Sequence, residues 1–397
     1  MDYGEKNILV LGAGSSGIGA AWVLAQLHAN VVLNDYKPVE FESSTRKKLD
    51  DAGVTIITGR QDNSLLNGVD RIVISPGIAL SIPIVQEAFN RHIEVVSEVE
   101  LAYDVCKSPI LGVTGTNGKT TTTTLLTQVM ESTGLPIKVG GNIGDSLSEA
   151  AFNMPEGGYL IAELSSYQLE TIKSFCPLGA IVLNVTPDHL ARHKTMENYA
   201  AAKARIFMNQ NAENFVVLND DDPIVAAMKK DVHSKILSIS QHHKVECGAY
   251  FEGNTCYAVL NGNVISVIDT EQIHIKGAHN IENILSVIAL TYALGVDVER
   301  IKRTIENFHG VEHRLERVTT IHDVTFYNDS KATNTDSVVK ALDAFDKPVI
   351  LLAGGHDKMT PLEDFMNVVK KNTKEVIFMG EAAERFESVA TKVGVTN

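Results

Sequence analysis

Short apolar runs recur along the chain, and most are followed by a polar or glycine-containing turn and then by a helical pattern. Runs of this length bounded by turns are typical of buried strands, whereas apolar spacings of three and four predict a helix. Alternation of the two predicts an α/β fold with mainly parallel sheets. The predicted strands lie at residues 7–11, 31–33, 71–74, 110–113, 159–163, 180–183, 215–218, 324–327, 349–352 and 376–379.

Two segments depart from this alternation. Residues 250–270 alternate apolar and polar side chains around Asn261-Gly262, which predicts a small β-hairpin region. Residues 310–317 are predicted to be a linker that enters a third αβ unit. The pattern therefore predicts a hairpin late in the middle of the chain and a separate last unit.

The first strand runs into Gly12-Ala-Gly14-Ser-Ser-Gly17, and the next strand ends at Asp35, 18 residues after Gly17. In the dinucleotide-binding fingerprint such glycines approach a pyrophosphate and the acidic residue binds a ribose hydroxyl. Alone, this motif favours an NAD(P)-dependent dehydrogenase. The same geometry binds any ribose diphosphate, because the glycines contact the pyrophosphate and not the base. A later strand ends in Ser75-Pro-Gly77, another turn at the carboxyl end of a strand.

A second glycine loop, Thr114-Gly-Thr-Asn-Gly-Lys-Thr120, lies between the strand at 110–113 and a helical pattern. The glycines let successive N–H groups converge on an anion, and the helix N-terminus adds partial positive charge. Lys119 is predicted to reach the β- and γ-phosphates, and the Thr120 hydroxyl to bind Mg²⁺. Val113 stands where the strict phosphate-loop pattern has glycine. We interpret the loop as a nucleoside triphosphate site; the alternative is a glycine turn with a solvated lysine.

Two further groups carry candidate chemistry in the middle segment. Glu163 ends an apolar strand, where a nucleotide enzyme places a Mg²⁺ ligand or a base, although a strand-terminal Glu can also be an ordinary surface residue. His189 and His193 have a spacing that could bind zinc on a helix, but Pro187 and the absence of a glutamate weaken that reading.

Two helices contribute polar residues with less specific signals. Lys203 lies in an Ala-rich helix predicted at 197–208, and the local pattern predicts an ordinary solvated charge. Asn280 and Asn283 are three residues apart on one helix face, where they either bind a base or phosphate or cap the helix.

Composition places the chain among soluble globular proteins with two or three domains, since it has 397 residues, 44% of them hydrophobic and 21% charged. A net charge of −14 argues against nucleic acid or an anionic membrane as partner. No apolar run approaches the ~20 residues that span a bilayer, and the first residues do not resemble a signal peptide. The four scattered cysteines fit a reducing cytosol, so we expect a cytoplasmic protein.

Several motifs taken together resemble the Mur ligases of peptidoglycan synthesis. They are Gly-Val-Thr-Gly-Thr-Asn-Gly-Lys-Thr at 112–120, Ala-Glu-Leu-Ser-Ser at 162–166, Asn-Val-Thr-Pro-Asp-His at 184–189, His-Asn-Ile-Glu-Asn at 279–283, His-Arg at 313–314 and Asn-Asp-Ser-Lys-Ala-Thr-Asn at 328–334. The last motif favours the branch of the family that adds D-glutamate. The resemblance covers essentially the whole chain.

The resemblance implies three domains: a Rossmann-like UDP-sugar domain at 1–98, a central P-loop-type ATPase at 99–309 and a C-terminal Rossmann-like domain at 310–397. It implies an ATP-dependent amide ligase that joins D-glutamate to UDP-N-acetylmuramoyl-L-alanine through an acyl phosphate, with two Mg²⁺ ions, as a cytoplasmic monomer. Relatives continue past the last strand predicted here, so we expect the C-terminal domain to be truncated and its D-glutamate site incomplete. The alternatives are a folyl-polyglutamate synthase-like enzyme, a lipid-II amidotransferase partner, the dehydrogenase above, or a non-catalytic remnant.

The resemblance also implies roles for individual residues. Lys119, His189 and Lys203 are implied to be catalytic, and Thr120, Glu163, His189 and a carbamylated Lys203 to bind Mg²⁺. The implied ATP-binding residues are Gly115, Thr116, Asn117, Gly118, Lys119, Thr120, Thr121, Asn280, Asn283, Arg314, Asp329 and Lys331. Ser15, Ser16, Asp35, Gly77 and Asn142 are implied to bind the UDP-substrate, and Thr333 and Lys358 to bind D-glutamate.

Overall fold

The computed structural model describes residues 2–357 and 359–395. The chain divides into two compact units, one containing the residues up to Asp269 together with Ile284–Ile305, the other containing Thr270–Asn283 and the residues from Glu306 onward. Lys358, a predicted D-glutamate contact, lies outside the described residues. No described helix is both long and apolar enough to cross a membrane.

The first unit begins with a five-stranded sheet in the order β3-β2-β1-β4-β5, and all of its neighbouring strands run parallel. Side chains of β1 alternate between two cores: Ile8 and Val10 pack on one face of the sheet, and Leu9 and Leu11 on the other. The strands are Asn7–Leu11 (β1), Asn30–Asp35 (β2), Thr55–Thr58 (β3), Arg71–Ile74 (β4) and Glu94–Ser97 (β5), and the helices are Ser15–Gln26 (α1), Ser43–Asp51 (α2), Pro83–Asn90 (α3) and Glu98–Val105 (α4).

The same unit contains a nine-stranded sheet in the order β14-β13-β12-β11-β10-β9-β6-β8-β7. Neighbouring strands from β7 along the sheet to β12 run parallel, whereas β13 is antiparallel to both β12 and β14. The strands are Ile110–Thr114 (β6), Ile137–Gly141 (β7), Tyr159–Glu163 (β8), Gly179–Val182 (β9), Phe215–Asn219 (β10), Lys235–Ser240 (β11), Gly248–Glu252 (β12), Thr255–Leu260 (β13) and Asn263–Asp269 (β14).

The helices that accompany this sheet include short ones next to the predicted site. They are Lys119–Glu131 (α5), Leu147–Phe152 (α6), Ser166–Leu169 (α7), Leu190–His193 (α8), Met196–Ala204 (α9), Pro223–Ala227 (α10), Ala278–Ala293 (α11) and Val298–Glu306 (α12). One of the boundaries between the two units falls within α11, between Asn283 and Ile284.

The hairpin predicted around Asn261-Gly262 is confirmed, because Leu260 pairs with Asn263 across the turn. Asn261 and Gly262 both have positive φ, 51° and 79°, as the tight hairpin turn with two left-handed residues requires. The hairpin extends the parallel sheet at one edge.

The second unit contains two separate two-stranded sheets, β15-β16 and β17-β18, among its described residues. The linker prediction for 310–317 is wrong at its end, since a strand begins at Glu316 and pairs antiparallel with the next one. The elements are Glu316–Ile321 (β15), Val324–Asn328 (β16), Val349–Gly354 (β17) and Thr373–Met379 (β18), with helices Thr335–Leu342 (α13), Glu363–Asn372 (α14) and Ala383–Val393 (α15). β17 and β18 are parallel, as in an αβ unit.

Candidate functional site

The glycine loop between β6 and α5 has the backbone of an anion cradle. Helix α5 begins at Lys119, and Gly118 before it is left-handed, with φ of 85°. A Cβ on Gly115 would lie 2.9 Å from Cβ of Leu183, so the loop lies close to the end of β9. The loop therefore presents its backbone at a helix N-terminus, the arrangement that binds phosphate.

Asn184 holds this loop in shape. Its Oδ1 accepts a hydrogen bond from N–H of Asn117 at 2.8 Å, and its Nδ2 donates to the carbonyl of Asn117 at 3.1 Å. Its backbone carbonyl accepts from N–H of Thr116 at 2.9 Å. The sequence analysis placed Asn184 in a motif but assigned it no role. Its position just after β9, the strand next to β6, is the sequence feature that could have indicated a contact with the loop after β6.

Two lysines converge on one carbonyl of the loop. Nζ of Lys119 donates to the carbonyls of Gly115 at 3.0 Å and Thr116 at 2.7 Å, and Nζ of Lys203 donates to Gly115 at 2.6 Å. Lys203 is buried, so the prediction of a solvated helix charge is wrong. Burial, and then the nearby charge of Lys119, lower the pKa of Lys203 well below its usual range. The structure thus places beside the loop an amine whose charged form is disfavoured by burial.

Glu163 lies next to the start of the glycine loop in the sheet, because it pairs with Val113, the residue before Thr114. It is buried, so the surface-residue alternative is wrong. Nδ2 of Asn142 donates to its Oε1 at 2.8 Å, and its Oε2 has no hydrogen-bond partner. A Cβ on Gly141 would lie 2.3 Å from the Glu163 carbonyl, so the approach of the two strand ends requires glycine there. A buried carboxylate oxygen without a partner is a position that a cation could fill.

His189 and His193 lie in one aromatic cluster but make different contacts. His189 is left-handed, with φ of 56°, and its Nδ1 is 2.9 Å from the hydroxyl of Tyr167. His193 is buried, and its Nε2 is 2.9 Å from the hydroxyl of Ser166. Burial lowers the pKa of His193, which favours the neutral ring. Among the described residues there is no group of three His, Cys, Asp or Glu side chains arranged to hold a metal ion by themselves.

The first glycine motif is built as its sequence predicts. Oδ2 of Asp35 accepts a hydrogen bond from N–H of Ala13 at 2.9 Å, which ties the end of β2 to the loop. A Cβ on Gly17 would lie 1.8 Å from the Gly12 carbonyl, so helix α1 packs directly on the turn. Ser15 and Ser16 begin α1, and Gly77 is exposed in the turn after β4.

In the second unit the two asparagines share a helix face, as predicted. Nδ2 of Asn283 donates to Oδ1 of Asn280 at 3.1 Å, and Nδ2 of Asn280 donates to the Lys276 carbonyl at 2.7 Å. The helix begins at Ala278, before both asparagines, so the alternative that they cap the helix is wrong. Next to them, burial lowers the pKa of His279 to about 4.

The other predicted residues of the second unit lie near one another. Oδ1 of Asp329 accepts from N–H of Leu315 at 3.0 Å, and burial raises the pKa of Asp329. N–H of Lys331 donates to the carbonyl of His313 at 3.1 Å, and Arg314 carries a buried Nε without a hydrogen-bond partner. Thr333 is exposed.

Three protein-family models together match most of the chain. The Mur ligase MurD-like N-terminal domain matches residues 6–97, the Mur ligase middle domain matches 113–291, and the Mur ligase glutamate ligase domain matches 313–396. A UDP-N-acetylmuramoylalanine–D-glutamate ligase from Thermoanaerobacter pseudethanolicus is 41% identical over 392 residues, which cover 99% of this chain and 86% of that protein. The chain belongs to the Mur ligase family.

Other Mur ligases are similar in sequence and in fold. The D-glutamate ligase of Clostridioides difficile is 37% identical over 399 residues, covering 99% of this chain and 87% of that protein. A pseudomurein peptide ligase type C from Methanothermus fervidus has a TM-score of 0.60 at 19% identity and covers 99% and 90% of the two chains. MurF from Acinetobacter baumannii has a TM-score of 0.63 at 16% identity, covering 96% and 83%. The fold is the α/β, three-domain architecture of the Mur ligases.

Proposed function

We propose that this Mur ligase adds D-glutamate to UDP-N-acetylmuramoyl-L-alanine at the expense of ATP, in peptidoglycan biosynthesis. The observation that carries the proposal is that Lys119 and the buried Lys203 both donate to the Gly115 carbonyl. Glu163, at the end of the strand next to β6, adds a buried carboxylate oxygen without a partner. The names of the relatives at about 40% identity support the choice of amino acid.

We propose the domain bounds 1–98, 99–309 and 310–397, with Rossmann-like first and third domains. The parallel strand order β3-β2-β1-β4-β5 and the close approach at Gly17 support the first assignment. In this first domain Ser15, Ser16, Asp35 and Gly77 would bind the UDP end of the substrate.

The protein's residues fit Mg²⁺ on two grounds. Oε2 of Glu163 is buried without a partner, and the chemistry of hydroxyl and carboxylate ligands suits a hard cation. Thr120 and Glu163 would hold one ion, and His189 together with a carbamate on Lys203 would hold a second. Bound Mg²⁺ would neutralise phosphate charge as an anionic carboxylate approaches.

Lys203 is suited to carbamate formation because burial favours its neutral amine. Only a neutral amine has the lone pair that forms the N–C bond with CO₂, and the proton lost leaves a carbamate anion. A buried cation then becomes a carboxylate-like ligand. Carbon-13 NMR of the protein in ¹³C-bicarbonate should show a carbamate resonance that is missing in Lys203→Ala.

The chemistry consists of two displacements. The L-alanyl carboxylate attacks the γ-phosphorus of ATP, releasing ADP and forming an acyl phosphate. The amine of D-glutamate then attacks the acyl carbon, and phosphate leaves with the bonding pair while the amine loses a proton. Lys119 would donate hydrogen bonds to phosphate oxygens in the first step, where charge accumulates. Positioning and charge neutralisation therefore account for most of the rate.

The remaining predicted contacts complete the proposal. Asn142 would orient Glu163 beside the muramoyl end, since it already donates to that carboxylate. Thr333 and Lys358 would bind D-glutamate. Gly115, Thr116, Asn117, Gly118, Thr121, Asn280, Asn283, Arg314, Asp329 and Lys331 would bind ATP.

The deciding assay is phosphate release with ATP, UDP-N-acetylmuramoyl-L-alanine and D-glutamate. We expect release only when all three are present, and Lys119→Ala should reduce it by about 10²-fold or more. Lys107→Ala is the control, because it changes an exposed lysine that precedes β6. Release with folate-type or lipid-linked acceptors instead, or turnover unchanged in Lys119→Ala, would contradict the proposal.

A further inference from the structure

Arg192 joins the predicted UDP-sugar turn to the loop that carries His189. It lies in α8, and its guanidinium donates to two carbonyls of the turn after β4: Nη1 to Pro76 at 2.8 Å and Nη2 to Ile78 at 3.0 Å. These two carbonyls flank Gly77, which the proposed function assigns to the UDP-substrate. The turn is also held from the other side, where the Ser75 hydroxyl donates to the Gly12 carbonyl at 3.2 Å.

The opposite edge of the guanidinium is fixed within the central part of the chain. Nε and Nη2 of Arg192 contact Oε1 and Oε2 of Glu170 at 3.1 and 2.5 Å. The plane lies over the ring of Tyr167, with Cζ 4.2 Å from the ring centroid. The hydroxyl of that tyrosine contacts Nδ1 of His189 at 2.9 Å. One side chain therefore links the Gly77 turn, through Tyr167, to the His189 ring.

The chemistry of this contact requires arginine. The side chain is 19% exposed, and it uses three nitrogens at once on two carbonyls and one carboxylate. A lysine ammonium is a single point, so it does not span the carbonyls on either side of Gly77 and the Glu170 carboxylate together. Hydrogen bonds from a charged group in a largely buried position contribute more than neutral ones, so each lost contact has a measurable effect.

We propose that Arg192 is a positioning residue that holds the Gly77 turn in register with the His189 loop. The inference rests on the proposed function, in which that turn holds the UDP-sugar and that loop faces the reacting phosphate. The reacting carboxylate is at the far end of the sugar substrate, so a shift of the turn moves it away from the γ-phosphate. Small displacements of this kind lower the rate steeply, because the attack requires close alignment.

The test uses Arg192→Lys in the full-length protein, with Arg205→Lys as the matched control. Arg205 also clamps two backbone carbonyls, those of Leu169 and Ile172, but both belong to the central part of the chain. We expect Arg192→Lys to raise the KM for UDP-N-acetylmuramoyl-L-alanine by about 10-fold, the loss of about one charged hydrogen bond, and to lower kcat. The dissociation constant for ATP should change by less than about 2-fold, since Arg192 does not contact the phosphate loop.

A second variant, Glu170→Gln, covers the case in which Arg192→Lys does not fold. It retains the shape of the partner but removes its charge, so it should raise the same KM by a smaller factor, with the ATP affinity unchanged. An unchanged KM for the UDP-substrate in both variants would overturn the proposal. An equal loss of ATP affinity, or the same effect in Arg205→Lys, would also overturn it, because either result indicates general destabilisation.

Titration with UDP alone separates this inference from the proposed function. If the wild-type protein does not turn over the three substrates, the proposed function fails, but the turn can still be tested by its affinity for UDP. Weaker UDP binding in Arg192→Lys than in Arg205→Lys would support the positioning role of Arg192. Equal UDP binding in wild type and Arg192→Lys would reject it.

Discussion

At the residue scale, the same side chain has different chemistry in different surroundings. Lys203 occupies an ordinary helix sequence, yet α9 buries it against the Gly115 carbonyl. Glu163 ends a strand like many surface carboxylates, yet one of its oxygens is buried without a partner. A buried amine whose pKa is lowered and a buried carboxylate oxygen without a hydrogen-bond partner are both suited to bind a ligand.

The burial of Lys203 predicts a stability gain when its amine is removed. The folded-state pKa lies below the unfolded one, so at neutral pH the unfolded chain binds more protons and folding is penalised. The penalty shrinks as the pH rises toward the unfolded pKa of about 10.4. Lys203→Met should therefore raise the free energy of unfolding at pH 7, and the gain should be smaller at pH 9.5.

The measurement is urea denaturation of both proteins in buffer purged of CO₂, because a carbamate would remove the amine. Lys203→Met should also lose turnover by about 10²-fold or more. A variant less stable than wild type at both pH values would contradict the assignment of a penalised amine.

At the element scale, the glycine turns decide where strands end and helices begin. Helix α5 begins directly after a left-handed Gly118, and this turn directs its N-terminus at the loop. Helix α1 packs on the Gly12 carbonyl because residue 17 has no side chain. Both turns bring a helix N-terminus to the carboxyl edge of a parallel sheet, where such folds bind ligands.

Gly118→Ala tests the first of these turns. A non-glycine residue with left-handed φ costs about 1–2 kcal/mol, so the variant should be destabilised by that amount and should bind ATP more weakly. Gly134→Ala is the control, because Gly134 has a similar φ of 81° but open space around it. The control should lose similar stability and keep its ATP affinity, as measured by calorimetric titration. Equal ATP affinities in the two variants would mean that the turn does not shape the phosphate site.

At the scale of the whole molecule, the chain is two units whose stabilities need not respond alike to pH. The second unit contains His279, whose pKa of about 4 lies below the unfolded value of about 6.5. Between those values the unfolded state binds more protons, so stability contributed by the neutral ring is lost as the pH falls from 6.5 toward 4.

We expect the second unit to lose up to about 3 kcal/mol of stability over that range, the equivalent of the shift in pKa. His279→Gln should flatten the dependence, because it removes the buried imidazole. Thermal unfolding followed at pH 7.0, 5.5 and 4.5 measures the effect. The same slope in wild type and His279→Gln would show that other groups are responsible.

Much of the fold could be predicted because its signals are local. Apolar runs marked β1, β2 and β4 of the first parallel sheet and β6, β8, β9 and β10 of the second, whereas β3, β5, β7 and β11 were not predicted. Asn261-Gly262 marked the confirmed hairpin. Strand β15 was missed because Glu316–Ile321 has charged and hydroxyl side chains, and its turn at His322 and Asp323 uses left-handed residues other than glycine. Such a strand is recognisable only with its partner in place.

What the sequence determined by itself was the set of chemical groups and their order along the chain: two glycine loops, a strand-terminal glutamate and a lysine in a helix. The tertiary structure decided which of them meet and how each is solvated. Asn184 and Lys203 contact one loop, and Glu163 ends the strand next to β6, because β9, β6 and β8 are neighbours in the sheet and α9 brings Lys203 to the loop. Arg192 reaches the Gly77 turn from a position 115 residues later in the chain, counted from 77 to 192. Hydrogen bonds and burial depend on distance in space, and local sequence patterns do not specify such distances between remote segments.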